Sequence, residues 1–270
     1  MGRIEVRGAG IAYELSGGGG EAVVLLNGIA MSIAHWKPFV AALSPGRRVL
    51  AHDFRGQLLS ARDKGPYSLE GHAEDLAALM DALGIGRAHV VGTSYGSEVG
   101  LVFARMFPER AQSLAVIDGV SEADAVLRAA VESWKATALA DPVAFYRTLV
   151  PWTYSASYIA SRAELLAARE KAVAGLPRDY FEAFAGLCDA FLAIDETPRL
   201  GEIRCPTLVL VGERDILKHR GYAEIIARGV PGSRLELLPG LGHAAAIEDP
   251  EAVVASVAAF LDMVGRGAGE

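Results

Sequence analysis

"HVVGTSYGSEVG" (residues 89–100) sets an apolar run, a Gly-Thr-Ser-Tyr-Gly kernel and a helical stretch end to end. A serine between two glycines where a strand gives way to a helix has two readings. It is an ordinary turn, or the glycines let the backbone bend so sharply that the hydroxyl of Ser94 is pushed out as a nucleophile. The pentapeptide alone is a weak signal, so its surroundings decide.

On both sides of it strands and helices alternate. "EAVVLLNG" (21–28) is a continuous apolar run of the kind buried on both faces of a parallel sheet. "SIAHWKPFVAALSPG" (32–46) follows with helical spacing and a Pro-Gly stop. Next come a strand "RRVLAHD" (47–53), a helix "SLEGHAEDLAALMDALGI" (68–85) opened by Ser68, the strand "AHVVGT" (88–93), a helix from about Ser94 to Phe107, and a strand "QSLAVID" (112–118). Past Cys205 the rhythm resumes with strand "PTLVLVGERD" (206–215), helix "RGYAEIIARGV" (220–230), strand "SRLELLP" (233–239) and a final helix from near Pro250. At the start, "RIEVRGAGIAYELSGGGG" (3–20) alternates apolar and polar residues around Gly8 and Gly10, a β-hairpin leading into a flexible loop. The fold class is α/β, with a mostly parallel, doubly wound sheet and an N-terminal antiparallel hairpin.

Between Gly119 and Leu200 about 80 residues pass with helical periodicity and no convincing strand. Ser121 and Asp141 read as N-caps there, and Pro151 and Pro177 punctuate the segments. The division expected is a core of residues 1–119 and 201–264, a helical cap insertion at 120–200, and a disordered tail at 265–270. The insertion is rich in aromatics, among them Trp134, Phe145, Tyr146, Trp152, Tyr154, Tyr158 and Tyr180. Most of these are expected to pack the insertion onto the sheet, and the rest to line a pocket. Trp152 and Tyr158 are the pocket candidates, because "PWTYSASY" (151–158) reads as a loop between cap helices that hangs over the site.

Composition narrows the function. The chain has 270 residues, is 51% hydrophobic and carries a formal net charge of -7, which disfavours nucleic acid or anionic membrane as a partner. No apolar run approaches a membrane span, and "MGRIEVRG" has no signal-peptide core. The two cysteines, Cys188 and Cys205, suggest neither a disulfide framework nor a zinc site, so a cytoplasmic location is expected. HExxH and P-loop patterns are absent, and no metal or cofactor is expected. "GLGHAA" (240–245) matches a dinucleotide fingerprint, but too little chain follows it for a further βαβ unit.

Ser94 would sit at the carboxyl edge of the sheet, at the positive end of a helix dipole, and needs a base. Of six histidines, His35, His72 and His219 lie in or beside helices and His52 and His89 in strands, which points to packing or surface roles. His243 differs, standing in the glycine-bearing loop "LPGLGHAAAIEDP" (238–250) that returns to the same edge. Asp215, at the end of "TLVLVGERD", is placed to orient it, in chain order Ser, Asp, His.

With these residues in place, the chain resembles the α/β-hydrolase fold superfamily, of the esterase, lactonase and peptidase type with a helical cap. "LLNGIAMSIAHW", "HDFRGQLLS", "VVGTSYGS", "LVLVGERD" and "LPGLGHAAAIEDP" carry the resemblance, in the family's order. It implies Ser94 as nucleophile, Asp215 as orienting acid, His243 as general base, and an oxyanion hole made of the backbone N–H groups of Ile29 and Tyr95. Asp118, which ends "LAVID", is the rival acid. The chain departs from the family at Asn27, where His is usual, and at Leu58 and Ser97, where Gly is. An Asn-Gly start and a "GQ" are also similar to acyltransferases that join 3-hydroxyacyl chains. Glu98, one helical turn past Ser94, either is a solvated or ion-paired helix residue or projects into the site. The expected activity is hydrolysis of a carboxylic ester, lactone, thioester or related acyl compound. Acyltransferase, perhydrolase and aminopeptidase chemistry, or a non-catalytic receptor on the same fold, stay open. The apolar cap suggests a small-molecule substrate with an uncharged acyl or alkyl moiety.

Overall fold

The computed structural model describes residues 1–63 and 65–267. Strands β1 (Gly2–Val6) and β2 (Ala9–Ser16) form the expected hairpin. Its two-residue turn has positive φ at both Arg7 (49°) and Gly8 (77°), the twist that suits a tight hairpin. β3 (Ala22–Leu26), α1 (Lys37–Leu43), β4 (Arg48–His52), α2 (Leu69–Ala82), β5 (Ala88–Thr93), α3 (Tyr95–Met106) and β6 (Ala111–Ile117) then alternate. Next come five helices, α4 (Ala125–Ala140), α5 (Pro142–Thr153), α6 (Ala156–Ser161), α7 (Ala163–Ala174) and α8 (Arg178–Leu192). β7 (Thr207–Gly212), α9 (Arg220–Gly229), β8 (Arg234–Leu238), α10 (Ala245–Glu248) and α11 (Pro250–Gly267) complete the described chain.

The eight strands form one sheet in the order β1-β2-β4-β3-β5-β6-β7-β8, antiparallel for the first two pairings and parallel for the rest. Successive side chains of a strand face opposite sides, and here both sides are covered. Val23 and Leu25 of β3 pack with Trp36, Phe39, Val257 and Leu261 under α1 and α11. Val24 and Leu26 pack with Leu76, Val99 and Phe103 under α2 and α3. That two-sided burial is why the strand reads as an unbroken apolar run. From β3 the chain goes to β4 on one side and then crosses to β5 on the other. The carboxyl ends of β3 and β5 therefore flank a topological switch point, where such sheets bind ligands.

The insertion leaves after β6 and returns before β7, and its two ends touch. Ser121 Oγ lies 2.7 Å from Thr197 Oγ1, and the Glu196 amide donates to the Ser121 carbonyl at 2.9 Å. Arg105 of α3 clamps Glu196 with two bonds of 2.7 and 3.0 Å. Ser121 is thus committed to this closure, and Asp124, not Ser121, caps α4 by accepting from the Leu127 amide. Asp141 does cap α5. α11 runs to Gly267, three residues into the stretch expected to be a disordered tail, while residues 268–270 lie outside the described residues. "PWTYSASY" is not a free loop: Pro151–Thr153 close α5 and Ser155 caps α6.

Candidate active site

Ser94 sits between β5 and α3 with φ 52° and ψ −120°, a backbone conformation that residues with side chains rarely adopt. The flanking glycines are a steric necessity. A Cβ on Gly92 would stand 2.3 Å from the Gly96 carbonyl oxygen, and one on Gly96 only 2.1 Å from that of Leu26. Strand, bend and the loop after β3 are that close together. Ser97 fits where a glycine is usual because its Oγ is used. It donates to the Gly92 carbonyl at 2.7 Å and accepts from the Ile117 amide at 3.0 Å, tying the bend to β6.

His243, in the loop after β8, lies with Nε2 2.9 Å from Ser94 Oγ and Nδ1 2.9 Å from Asp215 Oδ2. The other carboxylate oxygen of Asp215 accepts from the amides of Leu217 and Lys218, both at 2.8 Å, which fixes the carboxylate plane. Asp118 ends the neighbouring strand but takes other partners. Its oxygens accept from the amides of Gly212 (2.8 Å) and Ala245 (3.4 Å), and burial together with the nearby Asp215 carboxylate pushes its pKa well up. The structure therefore puts Asp215, and not Asp118, on the imidazole.

Tyr95 is the first residue of α3, and Ile29 follows Gly28 in the loop after β3. Neither backbone N–H has an intramolecular acceptor among the described residues. The loop carrying Ile29 is held by a buried network centred on Asn27, whose amide donates to Asp53 Oδ1 (3.0 Å) and Gln57 Oε1 (2.9 Å) and accepts from Trp36 Nε1 (2.8 Å). Gln57 Nε2 in turn donates to the Gly28 carbonyl at 2.9 Å. Asn27 thus replaces the usual histidine as a scaffold of that loop.

Glu98 is fully buried and ion-paired. Its carboxylate accepts from the Val120 amide and from Lys218 Nζ, both at 2.8 Å. Lys218 lies over the Phe191 ring, 4.6 Å from its centroid. Burial raises the Glu98 pKa, and the Lys218 ammonium opposes it. The pair fastens α3, which follows directly on Ser94, to the loop that carries Asp215. His52 and His72 pack with Phe54 and Tyr95, as expected of core histidines, and His219 caps α9.

A cavity of about 350 Å³ opens at Ser94 and His243, bounded by Ile29 and Leu58 on the sheet side and by Trp134, Phe145, Tyr146, Leu149, Tyr154 and Arg169 of the insertion. Trp152 and Tyr158 are not in its wall. Trp152 packs onto the main core, and Tyr158 stacks on Tyr154 with centroids 5.0 Å apart. The reason is a clasp: the Ala244 amide donates to the Thr153 carbonyl (2.8 Å), and the Ser155 amide and hydroxyl donate to Glu248 (2.7 and 2.6 Å). The junction of α5 and α6 is spent on gripping the histidine loop. His35, expected to be a packing or surface residue, instead lines the cavity.

The alpha/beta hydrolase fold family model matches residues 21–250. The chain belongs to this family. Among its relatives, the Azorhizobium caulinodans protein named "Putative carbamate hydrolase RutD" is 32% identical over 245 residues, covering 90% of this chain and 91% of that one. The enol-lactonase of Burkholderia xenovorans has a similar structure, with a TM-score of 0.89 at 28% identity over 97% of this chain and all of that one. A thermophilic esterase of Thermogutta terrifontis gives a TM-score of 0.87 at 26% identity, covering 98% and 99%. As a hydrolase of this fold, the protein is an enzyme. Among its described residues no helix is long and apolar enough to cross a membrane, and no group of three or more His, Cys, Asp or Glu side chains is arranged to hold a metal ion.

Three residues given no role in the site by the sequence emerge around this hydrolase site: Gln57, which stands in "GQ", Lys218 and Arg169. Gln57 sits in a quoted family segment and had a visible signal in "RGQ". Lys218 and Arg169 had none, since each is defined by a partner or cavity remote in sequence.

Proposed function

We propose that the chain is a serine hydrolase of carboxylic esters, lactones, carbamates or related acyl compounds that works through an acyl-enzyme and needs no cofactor. The observation that carries this is the continuous link from Ser94 through His243 to Asp215, with both contacts at 2.9 Å. Ser94 Oγ attacks the carbonyl carbon while its proton passes to His243 Nε2. Negative charge gathers on the former carbonyl oxygen, where the N–H groups of Ile29 and Tyr95 stabilise it. The intermediate collapses, the leaving oxygen takes the proton from His243, and the acyl group stays on Ser94. Water then attacks, giving its proton to His243, and the acid is released as Ser94 recovers the proton. Asp215 keeps the imidazole tautomer and stabilises the imidazolium.

The relatives named for carbamate, enol-lactone and ester hydrolysis support this class, and a carbamate would follow the same steps through a carbamoyl-enzyme. Acyl transfer, perhydrolysis and peptide cleavage would share the same covalent intermediate. The insertion at 120–200 is proposed to set specificity, since Trp134, Phe145, Tyr146 and Leu149 supply much of the cavity wall. We place the protein in the cytoplasm, in keeping with its two buried free cysteines. Mass spectrometry after fluorophosphonate treatment, followed by a panel of esters, lactones, carbamates and amides, tests the proposal. Labelling on Ser94 with turnover of an acyl substrate is expected; an unlabelled, inert protein would point to a receptor.

A further inference from the structure

Away from the polar residues around Ser94 and His243, the wall of the cavity is largely apolar except in one region. Leu149 and Val150 of α5 and Ala172 and Val173 of α7 line it, and no aspartate or glutamate does. Arg169, in the middle of α7, is the one lining side chain of fixed charge. Its Nη1 donates to the Tyr154 hydroxyl at 2.8 Å, and among the described residues it is paired with no carboxylate. The adjacent Glu170 is unavailable, because Arg147 holds both of its oxygens at 2.8 and 2.9 Å. A guanidinium has five N–H donors, so most of this one is unspent.

Two tyrosines on the same wall extend the pattern. The Tyr146 hydroxyl belongs to a residue only 9% exposed and has no hydrogen-bond partner among the described residues, a costly state unless something else bonds to it. Burial pushes its pKa up to about 12 against the opposing Arg169 cation, so it is protonated and can donate. Tyr154 accepts from Arg169 through its oxygen, which leaves its own proton free to donate. Burial lowers the pKa of His35, also in the wall, against a hydrogen bond to Ser32 that raises it, and the Arg169 charge adds to the lowering. A cation, two hydroxyl donors and no acceptor anion in an apolar cavity form an incomplete set, and a carboxylate completes it.

We propose that Arg169, with the hydroxyls of Tyr146 and Tyr154, binds a carboxylate carried by the substrate, away from the bond that Ser94 attacks. The substrate is then an acyl compound with a short apolar stem and a free carboxylate, not the uncharged one that the aromatic-rich insertion suggests by composition. Near neutral pH the cavity attracts an anion although the chain as a whole carries a net charge of -7. This inference rests on the hydrolase reading only in taking the cavity at Ser94 as the substrate site.

The test separates binding from turnover. Monomethyl adipate and methyl hexanoate share an acyl chain length and differ in the terminal carboxylate. Titration calorimetry on Ser94→Ala should show monomethyl adipate binding about 10- to 100-fold more tightly than methyl hexanoate, a preference lost in Ser94→Ala/Arg169→Met and reduced by Tyr146→Phe. In the active protein, Arg169→Met should lower kcat/KM for monomethyl adipate by a similar factor and that for methyl hexanoate far less, with Ser94 still labelled by fluorophosphonate. Arg169→Lys should recover only part, because it lacks the planar fork. Equal binding of the two probes, or a preference that survives Arg169→Met, overturns the carboxylate site. An inert, unlabelled protein that still shows the Arg169-dependent preference would instead overturn the hydrolase reading and leave this one standing.

Discussion

The cavity has two walls that treat polar atoms differently. On the sheet side, Asp215 uses both oxygens, Asn27 uses its carbonyl and amide, and Ser97 ties the bend at Ser94 to β6. On the insertion side, among the described residues, Trp134 Nε1 and the Tyr146 hydroxyl are buried without partners and Arg169 has no carboxylate. A wall whose scaffold is already hydrogen-bonded, with the Ile29 and Tyr95 N–H groups left open, holds those groups in place before any guest arrives, which favours stabilisation of a transition state. A wall with unspent donors gains on binding. The difference is what the proposal predicts if chemistry and recognition are assigned to separate pieces of chain.

If so, changes to the sheet wall should abolish turnover and changes to the insertion should redirect it. Ser94→Ala should reduce kcat by on the order of 10⁴-fold or more, with an unchanged circular dichroism spectrum. Near-normal activity in that variant would remove the distinction altogether. Asp215→Asn should cost about 10³- to 10⁴-fold in kcat, whereas Asp118→Asn, whose carboxyl does not touch the imidazole, should cost far less. The opposite ranking in steady-state kinetics would move the acid to Asp118. Glu98→Gln leaves the Lys218 ammonium buried without its carboxylate and should lower stability by about 3–5 kcal/mol in urea unfolding. Replacing both members by Met should cost less than the sum of the single changes. On the other wall, Leu149→Ala should shift the ranking of substrates by about 1–3 kcal/mol in kcat/KM while Ser94 is still labelled.

A last effect concerns buried groups that do not line the cavity at Ser94. Burial lowers the pKa values of His52 and His72 to about 3, and among the described residues His52 Nδ1 and both ring nitrogens of His72 lack hydrogen-bond partners. In the unfolded chain they titrate near 6.5. Between those values the unfolded chain binds protons that the native one does not, so stability falls as pH drops below about 6.5. The slope is at most about 1.4 kcal/mol per pH unit for each histidine. Urea midpoints at pH 7 and pH 5 should show it, and His72→Phe should flatten it.

What could be read from the sequence follows the same division. The bend was legible because Gly92 and Gly96 must lack a Cβ, and that need is written into residues adjacent to Ser94. His243 and Asp215 were legible because each closely follows a strand of a parallel sheet. Trp152 and Tyr158 misled, since helix geometry and the clasp on Glu248 decide where an α5–α6 side chain goes, and neither is local in sequence. The Glu98 to Lys218 contact spans 120 positions and left only an open choice for Glu98. Arg169 has no signal of its own in the sequence until the junction after α5 supplies Tyr154.

The meeting of Ser121 with Thr197 and Glu196 has a consequence for how the fold can diversify. Because the two ends of the insertion are stapled together, the framework registers an excursion that starts and finishes at one point. The entropy of closing such an excursion grows only with the logarithm of its length, about 0.6 kcal/mol for each doubling. A descendant could therefore lengthen, shorten or exchange the intervening helices at little cost to the β6–β7 pairing. One hydrolytic engine would then be open to repeated refitting with new substrate pockets.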